Sequence, residues 1–150
     1  RGENTQKGRY REFLQCDADI VGSYSPLADA EVLGLAYEIF KSLGLEVVIK
    51  INDRNLLTDF EPRHLAAIDK LNKVGIEKVK EELIERGLSP QDAAQALEKV
   101  RGLKISPNLE KIVVLFEKMG YPKDALLFEP HLVRGLDYYT GVIYEAVLSK

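Results

Sequence analysis

The chain has 150 residues, 45% of them hydrophobic, with a net charge of −3, one cysteine and two histidines. That is enough apolar material for one sizeable core and a small second one. No stretch reaches the roughly 18 consecutive apolar residues of a membrane helix, and no charged-then-apolar leader is present. Cys16 has no partner for an internal disulfide, which fits a reducing cytosol, and His64 and His131 stand too far apart to suggest a metal centre. No structural metal is expected. Arg1 lies inside a structured pattern without a preceding methionine, and Lys150 follows an apolar run directly, so both ends read as cuts in a longer protein.

From Arg9 the sequence alternates as a β-strand does. Leu14, Cys16, Ala18 and Ile20 suit a core-facing side, while Arg9, Arg11, Phe13, Gln15, Asp17 and Asp19 run from basic through aromatic and amide to acidic. The charge is graded along one face, as if a ligand lay across it with an anionic end near Arg9 and a hydrogen-bond donor near Asp19. Asn4-Thr5-Gln6-Lys7-Gly8 is turn-rich and joins Arg1–Glu3 to this strand as a hairpin loop. Residues 1–11 hold four cations against the single anion Glu3. On an acidic protein that local cluster points to a phosphate ligand more than to general nucleic-acid binding. The alternative is an edge strand carrying protective charges.

Beyond the Ser25-Pro26 turn, the spacing predicts a helix from about Asp29 to Leu43, with Gly44 past its end, and an inner strand over Leu45–Ile51. Asn52-Asp53-Arg54 opens a turn or short helix reaching Phe60. From Glu61 to about Lys123 the strand pattern disappears and short helices follow one another. Ile76, Val79, Leu83 and Ile84 form one stripe; Ser89-Pro90 and Ser106-Pro107 are helix starts, the first with Asp92 placed for a capping box. These stripes are core packing, and the charged outer faces are solvated surface or, in the minority reading, a tRNA or partner contact. Strands return at Ala125–Val133 and Val142–Leu148, separated by Arg134-Gly135-Leu136-Asp137-Tyr138-Tyr139-Thr140-Gly141. Arg134 is placed to project from a strand end, Tyr138 and Tyr139 face opposite sides, and Gly141 permits close backbone approach.

Two long motifs carry a family resemblance. RGENTQKGRYREFLQCDADIVG at residues 1–22 resembles motif 2 of the class II aminoacyl-tRNA synthetases in its histidyl form, and LVRGLDYYTGVIYE at 132–145 resembles the histidine-specific motif of the histidyl-tRNA synthetases. The resemblance implies an α+β fold: an antiparallel sheet flanked by helices, with a partial catalytic core at 1–61 and 124–150 and an all-helical insertion at 62–123. It implies ATP-dependent activation of histidine and transfer to tRNA(His), with Arg1 and Arg134 catalytic. Arg1, Glu3, Arg9, Phe13 and Arg134 would bind ATP; Gln15, Asp19, Arg134, Tyr138 and Tyr139 would bind histidine; Gln6 and Arg11 would touch the tRNA. ATP would arrive with Mg²⁺ as a substrate complex, with no tightly bound cofactor. The full-length enzyme would be a cytoplasmic homodimer with no membrane association. Motif 1 would precede Arg1; motif 3 and the anticodon-binding domain would follow Lys150, so this stretch alone would aminoacylate weakly or not at all. Asp19 stands where some members carry Glu and others Asp. A catalytically inactive regulatory paralogue has the same fold, but such proteins tend to lose ligand residues that are kept here. A plain RNA-binding module lacks a positive charge balance and an aromatic platform.

Overall fold

The computed structural model describes residues 10–133 and 140–149. Ser25 starts the first helix, α1 (Pro26–Ser42): its hydroxyl accepts from the Leu27 N–H at 3.2 Å, and Pro26 brings a helical φ without needing a donor. The helix therefore begins three residues before the expected Asp29. Gly44, at φ +70°, lets the chain turn back after the helix, with the Leu45 N–H reaching the Phe40 carbonyl at 2.9 Å. The chain then enters β1 (Val47–Asp53), followed by a 3₁₀ turn at Arg54–Leu57. Next come α2 (Pro62–Ile68), α3 (Leu71–Val74), α4 (Ile76–Glu85), α5 (Pro90–Arg101) and α6 (Pro107–Lys118). Both expected Ser-Pro starts are present, with the Ser89 hydroxyl accepting from Asp92 N–H and that of Ser106 from Leu109 N–H. A second 3₁₀ turn, Lys123–Ala125, leads into β2 (Leu126–Phe128), and β3 (Val142–Leu148) closes the sheet.

The sheet has the order β2-β1-β3, with β1 inside as its apolar faces require. β1 pairs antiparallel with β3 (Asp53 opposite Val142, Ile49 opposite Ala146) but parallel with β2 (Ile49 opposite Leu126). The sheet is therefore mixed, not purely antiparallel. Between β1 and β2 the chain makes a long helical crossover and returns in its original direction, the connection a parallel pair needs. β2 ends at Phe128, short of the expected Val133, because Pro130 cannot continue a ladder. The expected strand from Arg9 is not formed over the described residues 10–22: they pair with no strand and are exposed, Leu14 and Cys16 included. Alternation makes a strand only where a neighbour takes up the backbone groups, and both edges of β1 are already occupied.

Among the described residues, three apolar clusters fill the interior. The largest packs α1 and α6 on the sheet through Leu33, Ile49, Ile51, Leu109, Ile112 and Phe116, with Tyr37 edge-on to the Phe116 ring and the Tyr121 ring tilted against it. α6, which the sequence pattern grouped with the insertion, thus shares its core with the sheet. Ala67, Val79, Leu83, Ala93 and Leu97 make a separate core among α2, α4 and α5. Leu57, Leu65, Ile68, Val100 and Val133 form the third, in which Val133 packs on α2 and α5.

Candidate functional site

The C-terminal end of β1 organises the surroundings of the second motif. Asp53 is buried, and both carboxylate oxygens are engaged: Oδ1 accepts from the Asn55 N–H (3.0 Å) and Oδ2 from the Ser106 hydroxyl (2.9 Å). One carboxylate thereby caps the 3₁₀ turn and ties it to the start of α6. The Arg54 N–H donates to the Gly141 carbonyl at 2.8 Å, drawing the end of the second motif against β1. Gly141 has φ +66°, a conformation costly for residues with a side chain.

Beside this junction lies a cleft of about 380 Å³. Ala18, Asp19, Ile20, Ser23 and Tyr24 of the first motif and its continuation form one wall. Ala28, Asp29 and Val32 of α1, Asn108 of α6, and Thr140, Gly141, Val142 and Tyr144 complete it. Two segments some 120 positions apart in sequence, each singled out for its chemistry, thus meet at one cleft. A hollow of about 490 Å³ at the opposite end of the sheet is lined by Tyr37, Lys41, Leu45 and Asp124 among others, none of them singled out by the sequence.

The described part of the cleft is acidic. Asp19 is exposed on its wall, while Asp29 is half-buried and its carboxyl is pushed above the ordinary value of 3.8, first by burial and then by the neighbouring Asp53 charge. Such a wall favours ligands that offer N–H groups or positive charge and disfavours phosphate, consistent with the acidic end of the graded sequence pattern. Along the same segment Phe13 and Arg11 are exposed, and the Gln15 amide donates to Asp17 Oδ1 at 2.6 Å. Arg1, Glu3, Gln6, Arg9, Arg134, Tyr138 and Tyr139 lie outside the described residues. Sequence reasoning missed Asp29, Asn108 and Tyr144. Asp29 reads as an ordinary first-turn helix acid, and only the fold turns it toward the cleft.

Behind the second motif lies a half-buried polar group. Glu129 Oε2 accepts from Lys50 Nζ (3.0 Å) and Asn72 Nδ2 (2.9 Å), and Oε1 lies 3.1 Å from His131 Nε2. Burial pushes the His131 imidazole below its usual range against the opposing pull of Glu129. No group of three or more His, Cys, Asp or Glu among the described residues is arranged to hold a metal ion. Nor is any helix among them long and apolar enough to cross a membrane.

No protein-family profile matches the chain. Curated relatives do: it is 38% identical to the histidine–tRNA ligase of Azobacteroides pseudotrichonymphae over 97% of this chain and 38% of the relative. Identity is also 38% to that of Korarchaeum cryptofilum, over the whole chain and 41% of the relative, and to that of Clostridium tetani, over the whole chain and 42% of the relative. The chain therefore spans about two fifths of the length of the curated relatives it matches. In three dimensions it resembles a crystal structure of histidyl-tRNA synthetase from Nostoc sp., with a TM-score of 0.72 and 25% identity over 84% of this chain and 37% of that one.

Proposed function

The chain belongs to the histidyl-tRNA synthetase family, and from that premise we propose that it carries much of the site in which histidine is activated by ATP for transfer to tRNA(His). The observation that carries the proposal is the cleft where Asp19 of the first motif meets Thr140 and Gly141 of the second.

In the first step the histidine carboxylate attacks the α-phosphorus of ATP and pyrophosphate leaves. Two anions must approach, and negative charge builds on the phosphoryl oxygens. Arg1 and Arg134 neutralise that charge with guanidiniums, whose planar fork suits paired oxyanion contacts better than lysine does. Preorganised groups of this kind contribute several kcal/mol to a barrier. Arg9 holds the outer phosphates, Glu3 the adenine edge, and Phe13 the adenine face. Gln15 binds the amino acid's head group; Asp19 accepts from the imidazole N–H, with Tyr138 and Tyr139 supplied from the second motif. Exposed Phe13 and Asp19 are free to take these roles, and Gln15 would exchange its bond to Asp17 for the ligand. ATP enters as its Mg²⁺ complex. In the second step a hydroxyl at the tRNA 3′ end attacks the carbonyl of the histidyl-adenylate, an ester forms and AMP leaves, with Gln6 and Arg11 touching the acceptor. The functional assembly is a cytoplasmic homodimer.

The helical insertion is α2–α5, since these helices hold a core of their own while α6 shares that of the sheet. The Val133 contact makes it a buttress for the histidine-specific segment.

A hydrogen bond to a charged acceptor such as the Asp19 carboxylate contributes about 1.5–3 kcal/mol. Asp19→Asn is therefore expected to weaken histidine binding by at least that much while ATP binding changes little, measured by titration with each ligand. Equal losses for both would contradict the assignment.

A further inference from the structure

Residues 129–133 strap the sheet to the insertion helices. On the sheet side the Glu129 N–H donates to the Ile51 carbonyl at 2.9 Å, and Asn52 Nδ2 donates to the Pro130 and Leu132 carbonyls at 3.0 and 2.9 Å. On the insertion side the Val133 N–H donates to Asp69 Oδ1, just past α2, at 3.2 Å. The Glu129 carboxylate spans the two, its Oε2 accepting from Lys50 Nζ of β1 and from Asn72 Nδ2 of α3.

The His131 side chain sits in this junction and takes none of its hydrogen bonds. It is 14% exposed, and Nδ1 and Nε2 are both buried without a hydrogen-bond partner among the described residues, although Nε2 lies 3.1 Å from Glu129 Oε1. A neutral ring is tolerated there as a packed body, whereas a cationic ring would have to give up its water. The surrounding charges pull in opposite directions. Glu129 and Asp69 attract a proton, while Lys50 of β1 and Arg101 of α5 repel it. Glu145, opposite Lys50 in the register, belongs to β3 on the far side of β1. Burial is the largest influence, and it makes the folded imidazole release its proton more readily than a free one does.

We propose that Lys50, Asn72, Glu129 and His131 form an acid-sensitive latch between the sheet and the insertion helices, closed around the neutral imidazole and loosened when that imidazole takes a proton. A ring that swings out to water protonates near the ordinary value of 6.5, at higher pH than the ring in the closed junction. Closure is therefore fully favoured above 6.5 and weakens as pH falls from there toward the lowered value. The open population grows by at most about tenfold for each pH unit in that window.

The test is hydrogen–deuterium exchange of the protein at about pH 7.5 and about pH 5.5, corrected for the pH dependence of chemical exchange itself. The amides of α2 and α3 are expected to open about three- to tenfold more at the acid pH, and those of α1 to change less. His131→Asn, which cannot titrate, is expected to remove the difference, and His64→Asn, which alters the chain's other histidine, to keep it. Asn72→Ala cuts an arm of the latch and is expected to speed exchange in α2 and α3 at the neutral pH already. Should His131→Asn not fold, an NMR titration of the His131 ring decides, with a midpoint below 6.5 supporting the latch and one at or above it overturning it. A response of equal size in α1 overturns the proposal, since the imidazole would then act only on global stability. So does a response that survives in His131→Asn or disappears in His64→Asn, and so does unchanged exchange in Asn72→Ala.

Discussion

Asp29 is a carboxylic acid whose ionisation is opposed by burial and by Asp53. The folded protein therefore keeps its proton to higher pH than the unfolded chain does, and stability falls as pH rises from 3.8 through the raised value. Asp29→Asn removes this dependence. The stability gain of the variant over the parent is expected to be larger at about pH 7 than at about pH 3, where both side chains are uncharged; melting temperatures at the two pH values measure it, and a gain independent of pH would contradict the cause assigned here. At this scale the sequence was half-legible. Asp19 stands at the acidic end of the alternating stretch and lines the cleft, although no strand forms there. Asp29 could not be picked out, since a helix acid acquires a place beside a cleft only from chain brought near by folding.

The elements best legible beforehand were those with local start signals. Ser-Pro pairs marked α5 and α6, and the apolar run Val142–Leu148 is the strand itself. The alternating stretch after Arg9 misled because a strand needs a partner, which no local pattern specifies. Ser106 shows how one signal can carry two functions: it caps α6 and donates to buried Asp53. Ser106→Ala loses a cap worth about 1–2 kcal/mol and leaves an acceptor unpaired. The expected destabilisation is about 2–4 kcal/mol by denaturant unfolding; a cost under about 0.5 kcal/mol would show that water replaces the hydroxyl freely. On α1, Gly34 is buried against the Tyr121 ring, and an added methyl would overlap it. Gly34→Ala, ordinarily favourable within a helix, is expected instead to destabilise by about 1–3 kcal/mol. Thermal unfolding checks this, and a raised melting temperature would contradict it.

Across the whole molecule, the two ends of the chain supply the cleft and the middle supplies support. α1 and α6 hold the sheet, α2, α4 and α5 carry a core of their own, and a third cluster joins α2 and α5 to Val133. The α+β class and the central place of β1 were readable from where strand texture stopped and resumed. The parallel β1–β2 pair and the allegiance of α6 were not, because both depend on the direction in which a long connection returns. The central claim is that these separated segments form one pocket selective for histidine. Calorimetric binding of a non-hydrolysable histidyl-adenylate analogue, with the alanyl analogue as control, tests it most directly. Saturable binding of the histidyl compound, at least tenfold tighter than the alanyl one, is the predicted result. Equal affinity for the two, or no binding by folded protein, would contradict it.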